Sequence, residues 1–330
     1  QFSGAVLDGG ADDDFLFATA VRDAQLEGGD GADALRVDID SFASLFSDGD
    51  QRLAESAVLG GGNGNDSLTV TASTFSGYGQ SRVTLDGGAG DDTLGVTDNI
   101  AGNFFAPNSA ITQADLFGGD GSDTLRAGGV LQLSLTGGAG SDTFVLTVQQ
   151  WRTQLEGTRV YDNADGTVSA VAPEATRISD FQAGVGGDVL DLNELLQASG
   201  FVADGSNPYG DTGPLRFVQV GVDVQLTLQG TVVAVLQGVA LTDLNAANVS
   251  PAHAPDGTPP PGQAITGSDF ADQLVGSSGA DTITAVGGDD FADGQAGADL
   301  IDGGDGNDFL RGGSGADTLL GGSGNAQLVD

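Results

Sequence analysis

The recurring chemistry of this chain lies in aspartates that follow glycine pairs at a fixed distance. In residues 303–320 the nonapeptide Gly-Gly-x-Gly-x-Asp-x-apolar-x is written twice in succession, GGDGNDFLR and GGSGADTLL. The sixth place offers a carboxylate. The glycines allow tight, φ > 0 backbone that turns several carbonyl oxygens towards one point. Oxygen donors without nitrogen or sulfur suit a hard divalent cation, and calcium takes about six to eight of them at roughly 2.3–2.6 Å. One loop supplies too few, so an ion has to lie between two loops stacked one turn apart.

Short strands must carry these loops. The apolar residue at the eighth place, with a polar neighbour on either side, points inward as strand alternation demands. Residues 1–150 contain six separated copies. The first, GGADDDFLF, brings Gly9, Ala11 and Asp14, with Asp12 where the third glycine belongs. GGDGADALR brings Gly28, Gly29, Asp30, Gly31 and Asp33, and GGNGNDSLT brings Gly61, Gly62, Asn63, Gly64 and Asp66. GGAGDDTLG brings Gly87, Gly88, Ala89, Gly90 and Asp92. GGDGSDTLR brings Gly118, Gly119, Asp120, Gly121 and Asp123, and GGAGSDTFV brings Gly137, Gly138, Ala139, Gly140 and Asp142. Leucine stands two residues before every copy (Leu7, Leu26, Leu59, Leu85, Leu116, Leu135), and Leu16, Leu35, Leu68, Leu94, Leu125 and Phe144 fill the eighth places. The copies are 19, 33, 26, 31 and 19 residues apart. The shortest spacing is two nine-residue half-turns, which predicts one loop per turn, all on one edge of a solenoid.

Residues 267–329 hold seven copies in tandem. Their loops contain Asp272; Gly276, Ser278 and Asp281; Gly288 and Asp290; Gly294, Ala296, Gly297 and Asp299. Further on come Gly303, Gly304, Asp305, Gly306 and Asp308, then Gly312, Gly313, Ser314, Gly315 and Asp317, and Ala326 replaces the last acid. Consecutive nonapeptides predict loops on alternating edges. Gly276, Gly294 and Gly312 then begin one stack, and Gly267, Ala285, Gly303 and Gly321 the other.

This motif resembles the RTX (haemolysin-type) calcium-binding repeat of proteins exported by Gram-negative type I secretion. The resemblance implies a parallel β-roll whose loop residues, all those just named, hold calcium. It implies carbonyls from places one and three of one loop, from two and four of its neighbour, and the sixth-place carboxylate. About 5–11 ions are expected on that basis. Carboxylates stacked about 5 Å apart repel by about 0.8 kcal/mol per pair in water and about 3 at an effective dielectric of 20, so metal affinity becomes folding free energy.

Forty-seven acidic residues against ten arginines and no lysine give a formal charge of −37, which repels nucleic acid and anionic membrane. No apolar run approaches the roughly 20 residues of a spanning helix. Cysteine is absent, which excludes disulfides and thiolate metal sites. Methionine is also absent and the chain begins at Gln1, so a processed or excised piece of something longer is expected, without a signal peptide.

Between the two repeat blocks glycine thins. Strands are predicted at 144–148, 167–172, 215–220, 224–228 and 231–236, and short helices at 192–198 and 241–247, capped near Asn193 and Thr242. The run 177–196 resembles the segment that closes the roll and belongs to the secretion region in RTX proteins. The sequence DNADG at 162–166 reads as a hairpin turn, and Trp151 as packing at the roll's end rather than holding sugar. Insertions at 38–55 and 97–114, with Phe42, Phe46, Phe104 and Phe105, either cover the core or form a contact surface. Five of the nine prolines crowd into 251–264, an exposed linker in which His253, the one histidine, is solvated. With that histidine isolated, and without protease or lipase signatures, no catalytic site is expected.

The resulting expectation is an all-β protein. A one-sided RTX β-roll spans 1–146, a β-rich capping domain 147–250, a linker 251–265 and a tandem roll 266–330. Its predicted role is an extracellular structural or surface-assembly component at the Gram-negative cell surface, without enzymatic activity. Calcium, the type I secretion machinery and other copies or cell-surface components are its expected partners. The other reading is the non-catalytic calcium-binding region of a larger RTX hydrolase.

Overall fold

The computed structural model describes residues 4–19, 23–39, 55–72, 81–98, 111–155, 158–162, 168–201, 206–210, 213–259 and 261–329. The chain divides into two compact units, Gln1–Ser199 with Phe217–Ala252, and Gly200–Arg216 with His253–Asp330.

In the first unit each turn contributes two strands with a nonapeptide loop between them. The longer strands, β1 (Ala5–Ala11), β3 (Asp23–Asp30), β5 (Glu55–Asn63), β7 (Ser81–Ala89), β9 (Ile111–Asp120) and β11 (Gln132–Ala139), lead into the loops. The shorter ones, β2 (Phe15–Thr19), β4 (Ala34–Ile39), β6 (Ser67–Ala72), β8 (Thr93–Asp98), β10 (Thr124–Gly128) and β12 (Thr143–Leu146), lead out of them. The two sets form separate parallel sheets. Leu26, Leu59, Leu85, Leu116 and Leu135 stack in register on one inner face. Leu35, Leu68, Leu94, Leu125 and Phe144 stack on the other, and all ten are sealed from solvent. The fold is the parallel β-roll that the paired apolar columns predict.

The sheets continue beyond the sixth loop. Two strands, β15 (Thr176–Ile178) and β16 (Val189–Asp191), add a seventh turn. The hairpin of β18 (Asp223–Leu228) and β19 (Thr231–Leu236), with β17 (Leu215–Val220), extends the first sheet, and β20 (Val249–Ser250) extends the second. A separate hairpin pairs β13 (Arg159–Asp162) with β14 (Val168–Val171). The DNADG turn itself lies mostly outside the described residues, as do Phe42, Phe46, Phe104 and Phe105.

Two local expectations are corrected. Residues 241–247 are not a helix but two 3₁₀ turns, Leu241–Asp243 and Ala246–Asn248. The cap is Asn245, which accepts from the Ala247 N–H, and not Thr242. The buried Asn248 amide is instead committed to the Gly184 and Asp188 carbonyls, which holds the seventh turn. An unforeseen helix, α1 (Val148–Leu155), packs on β10 and β19 and carries Trp151. The predicted helix near 192–198 is α2 (Asn193–Ser199).

In the second unit, three-residue strands alternate between two four-stranded parallel sheets. One holds β21 (Ala264–Thr266), β23 (Thr282–Thr284), β25 (Leu300–Asp302) and β27 (Thr318–Leu320). The other holds β22 (Gln273–Val275), β24 (Phe291–Asp293), β26 (Phe309–Arg311) and β28 (Gln327–Val329). Ile283, Ala292, Ile301 and Leu310 form its buried core. The stretch before these strands is less exposed than expected. Asn207 donates to the Ala254 and Thr258 carbonyls, and His253 is half-buried edge-on against the sealed Tyr209 ring. Burial pushes the His253 pKa down.

Candidate metal centre

Parallel pairing fixes the loops in one column. Gly10, Gly29, Gly62, Gly88, Gly119 and Gly138 are successive register partners, so all six loops of the first unit stand on one edge. In the tandem block the 18-residue register places alternate loops on separate edges.

The sixth-place aspartates form a ladder. The Asp14 N–H donates to Asp33 Oδ1, Asp33 to Asp66 and Asp66 to Asp92, each at 2.7 Å. Asp92 donates to Asp123 at 2.8 Å and Asp123 to Asp142 at 2.9 Å. The same bond joins Asp272 to Asp290, Asp290 to Asp308, Asp281 to Asp299 and Asp299 to Asp317 at 2.8–3.0 Å. One carboxylate oxygen per loop is thereby used. The other, Oδ2, is buried without a hydrogen-bond partner at Asp14, Asp33, Asp66, Asp92, Asp123, Asp142, Asp290, Asp299, Asp308 and Asp317. A buried carboxylate oxygen left bare costs several kcal/mol unless a cation meets it.

Carbonyls gather at the same places. A β-carbon added to Gly28, Gly61, Gly87 or Gly118 would collide both with the loop's own Asp Oδ2 and with the first-place carbonyl oxygen of the next loop. These two oxygens therefore flank one point. The Gly64 N–H donates to the Ala89 carbonyl, and Gly90 to that of Asp120, so third-place carbonyls face the preceding loop. Second- and fourth-place carbonyls face the following one: a β-carbon on Gly62 would strike the Gly29 oxygen, and one on Gly64 the Gly31 oxygen. Gly64 has φ +128°, where a side chain is strained in any case. Among the described residues no three acidic or imidazole side chains converge on a single point. Most ligands of an ion here would therefore be backbone carbonyls, as the donor set of the repeat requires.

Electrostatics marks the same column. Burial raises the Asp92 pKa to about 7, helped by Asp123, Asp66 and Asp91 and opposed by the Asp66 N–H bond. Burial likewise brings Asp142 to about 6, with Asp188, Asp123 and Asp180 adding to the rise. Asp66, Asp123 and Asp299 are raised for the same leading reason.

Some functional residues fall at places that the repeat leaves variable. At the fifth place, Asp13, Asn65, Asp91, Asp289 and Asn307 accept the backbone N–H of the next loop, a second ladder on the exposed side. In the seventh turn, Asp180 accepts from the Gly137 and Gly138 N–H groups. There Asp188 accepts from Asp142 with Oδ1 and from Gln182 with Oδ2, so the column ends on a satisfied carboxylate.

Fold and site together define a β-roll whose edges are stacked, oxygen-lined loops of the kind that suits a hard cation. The RTX calcium-binding nonapeptide repeat, described as four copies, matches residues 6–23, 79–95, 115–129, 266–301 and 293–328. The chain carries RTX calcium-binding repeats. The loops at 28, 61 and 137 lie outside those stretches, and strand register places them in the same column. No curated protein matches the chain.

Proposed function

We propose that this protein is an extracellular structural module, exported by type I secretion, whose folding and assembly are driven by calcium. The observation that carries the reading is the set of ten buried, unpartnered Oδ2 atoms, each at the same place of a stacked loop. Each ion would sit between successive same-edge loops. It would take carbonyls from places one and three of the following loop, carbonyls from two and four of the preceding one, and the bare carboxylate oxygen. Calcium supplies the positive charge that lets the carboxylates stack. Extracellular calcium modules work at roughly 10⁻⁴–10⁻³ M, so such a chain would stay unfolded in a calcium-poor cell interior and fold outside. The function belongs to the folded surface and not to an active site. Metal loading also removes part of the −37 charge that keeps copies apart over about 8 Å at physiological salt. Self-association through 267–330, at a cell surface or in a matrix, is the role this suits.

Calcium titration followed by circular dichroism and light scattering tests the proposal. β signal should appear with a midpoint in the range just given, and scattering should rise with it. A full β spectrum in excess chelator would overturn calcium-driven folding. A calcium-loaded chain that stays monomeric at 10 mM would overturn the assembly role.

A further inference from the structure

Two loops of the tandem block break the pattern of bare carboxylates. Asp272 Oδ2 accepts from the Ser268 N–H at 2.6 Å and from its hydroxyl at 2.9 Å. Asp281 Oδ2 accepts from the Ser277 N–H at 2.5 Å, and the Ser277 hydroxyl donates to the same carboxylate. Each serine oxygen in turn accepts a backbone N–H two residues on, from Phe270 and from Gly279. Both serines occupy the second place of their nonapeptide.

The backbone differs there as well. In the other five tandem loops the second place is left-handed, with φ between 66° and 109° at Val286, Gln295, Gly304, Gly313 and Gly322. That conformation persists even where valine and glutamine must bear its strain. Ser268 and Ser277 are absent from the φ > 0 region, and so is Gly279 at a fourth place. Their N–H groups turn onto their own carboxylate, occupying the oxygen that elsewhere waits for an ion.

We infer that Ser268 and Ser277 act as built-in replacements for calcium, so that the first gap on each edge of the tandem block closes by hydrogen bonds instead of metal. The inference rests on the calcium reading above. It divides the loops that the repeat makes equivalent: those at 267 and 276 hold shape without metal, and those at 285, 294 and 303 require it. The second-place residue is thus what decides whether a loop takes an ion. The block would then possess a calcium-independent start on which later turns stack.

Counting calcium bound to the full chain by native mass spectrometry tests this. Exchanging both serines for glycine (S268G/S277G) should add two ions relative to the unaltered chain. D299N should lose at least one ion, and D281N none. An unchanged count in the double variant, or a loss in D281N equal to that in D299N, would overturn the inference. If the unaltered chain binds no calcium and D299N changes nothing, the calcium reading itself fails and the inference falls with it. Hydrogen exchange on the unaltered chain gives an answer that does not depend on any variant folding. In chelator the Ser277 amide should keep its protection while the loops at 294 and 303 lose theirs; equal loss at all three refutes the inference.

Discussion

Replacing Asp92 with asparagine should change stability in opposite directions with and without calcium. Asp92 stands mid-column, with Asp66 before it and Asp123 after. Without metal, each neighbour at about 5 Å repels it by about 0.8–3 kcal/mol, so D92N relieves about 2–6 kcal/mol. The amide keeps the Oδ1 acceptor for the Asp66 N–H, and its nitrogen would face the Gly118 carbonyl beside Gly87. With 10 mM calcium and a dissociation constant of about 10⁻⁴–10⁻³ M, each bound ion contributes about 1.4–2.7 kcal/mol. Losing the ion in the gap that Asp92 Oδ2 faces, between the loops at 87 and 118, should then remove up to about 1.4–2.7 kcal/mol, at roughly 2–4 °C of melting temperature per kcal/mol. Thermal melts in calcium and osmolyte-induced folding in chelator, both followed by circular dichroism at pH 8 where Asp92 is ionised, measure the two signs. D92N destabilising under both conditions would refute ion-driven stacking and leave the aspartates as ordinary turn formers.

Three further outcomes follow from the same geometry. Asp92 and Asp142 are raised in the folded, metal-free state to about 7 and about 6, so they bind protons better folded than unfolded. Folding without metal should therefore become easier as pH falls from about 7 towards 4, so osmolyte-induced folding in chelator should need less osmolyte at pH 5 than at pH 8; an equal or higher requirement at pH 5 would contradict this. Exchanging Gly64 for alanine would drive a β-carbon into the Gly31 carbonyl oxygen at φ +128° and should cost about 2–5 kcal/mol, read as a lower melting temperature in saturating calcium. Val286 holds φ +80° with a branched side chain, so V286G should stabilise the calcium-loaded chain by about 0.5–1 kcal/mol after glycine's own entropy is counted, and a lower melting temperature would refute the strain.

What the sequence made legible were features imposed by period. Leucine at two fixed offsets from every loop forces a two-sheet roll, because any slip of register would expose an entire column. The tandem nonapeptide forces alternating edges for the same reason. Less legible were elements held by polar contacts. Helix α1 buries Gln150 and Thr153 rather than an apolar stripe, and Gln150 is fixed by both the N–H and the carbonyl of Val130, so no helical periodicity announced it. The half-buried place of His253 depends on Asn207 and Tyr209, some 45 residues earlier, and composition alone made its surroundings look like open linker. Least legible were the variable places of the repeat. A consensus treats places two and five as filler once glycine or any polar residue fits there. Yet a serine at place two satisfies the carboxylate that glycine leaves bare, and an aspartate or asparagine at place five ties one turn to the next without metal. The consensus places establish that calcium loops can stack. The departures from consensus set the order in which those loops need it.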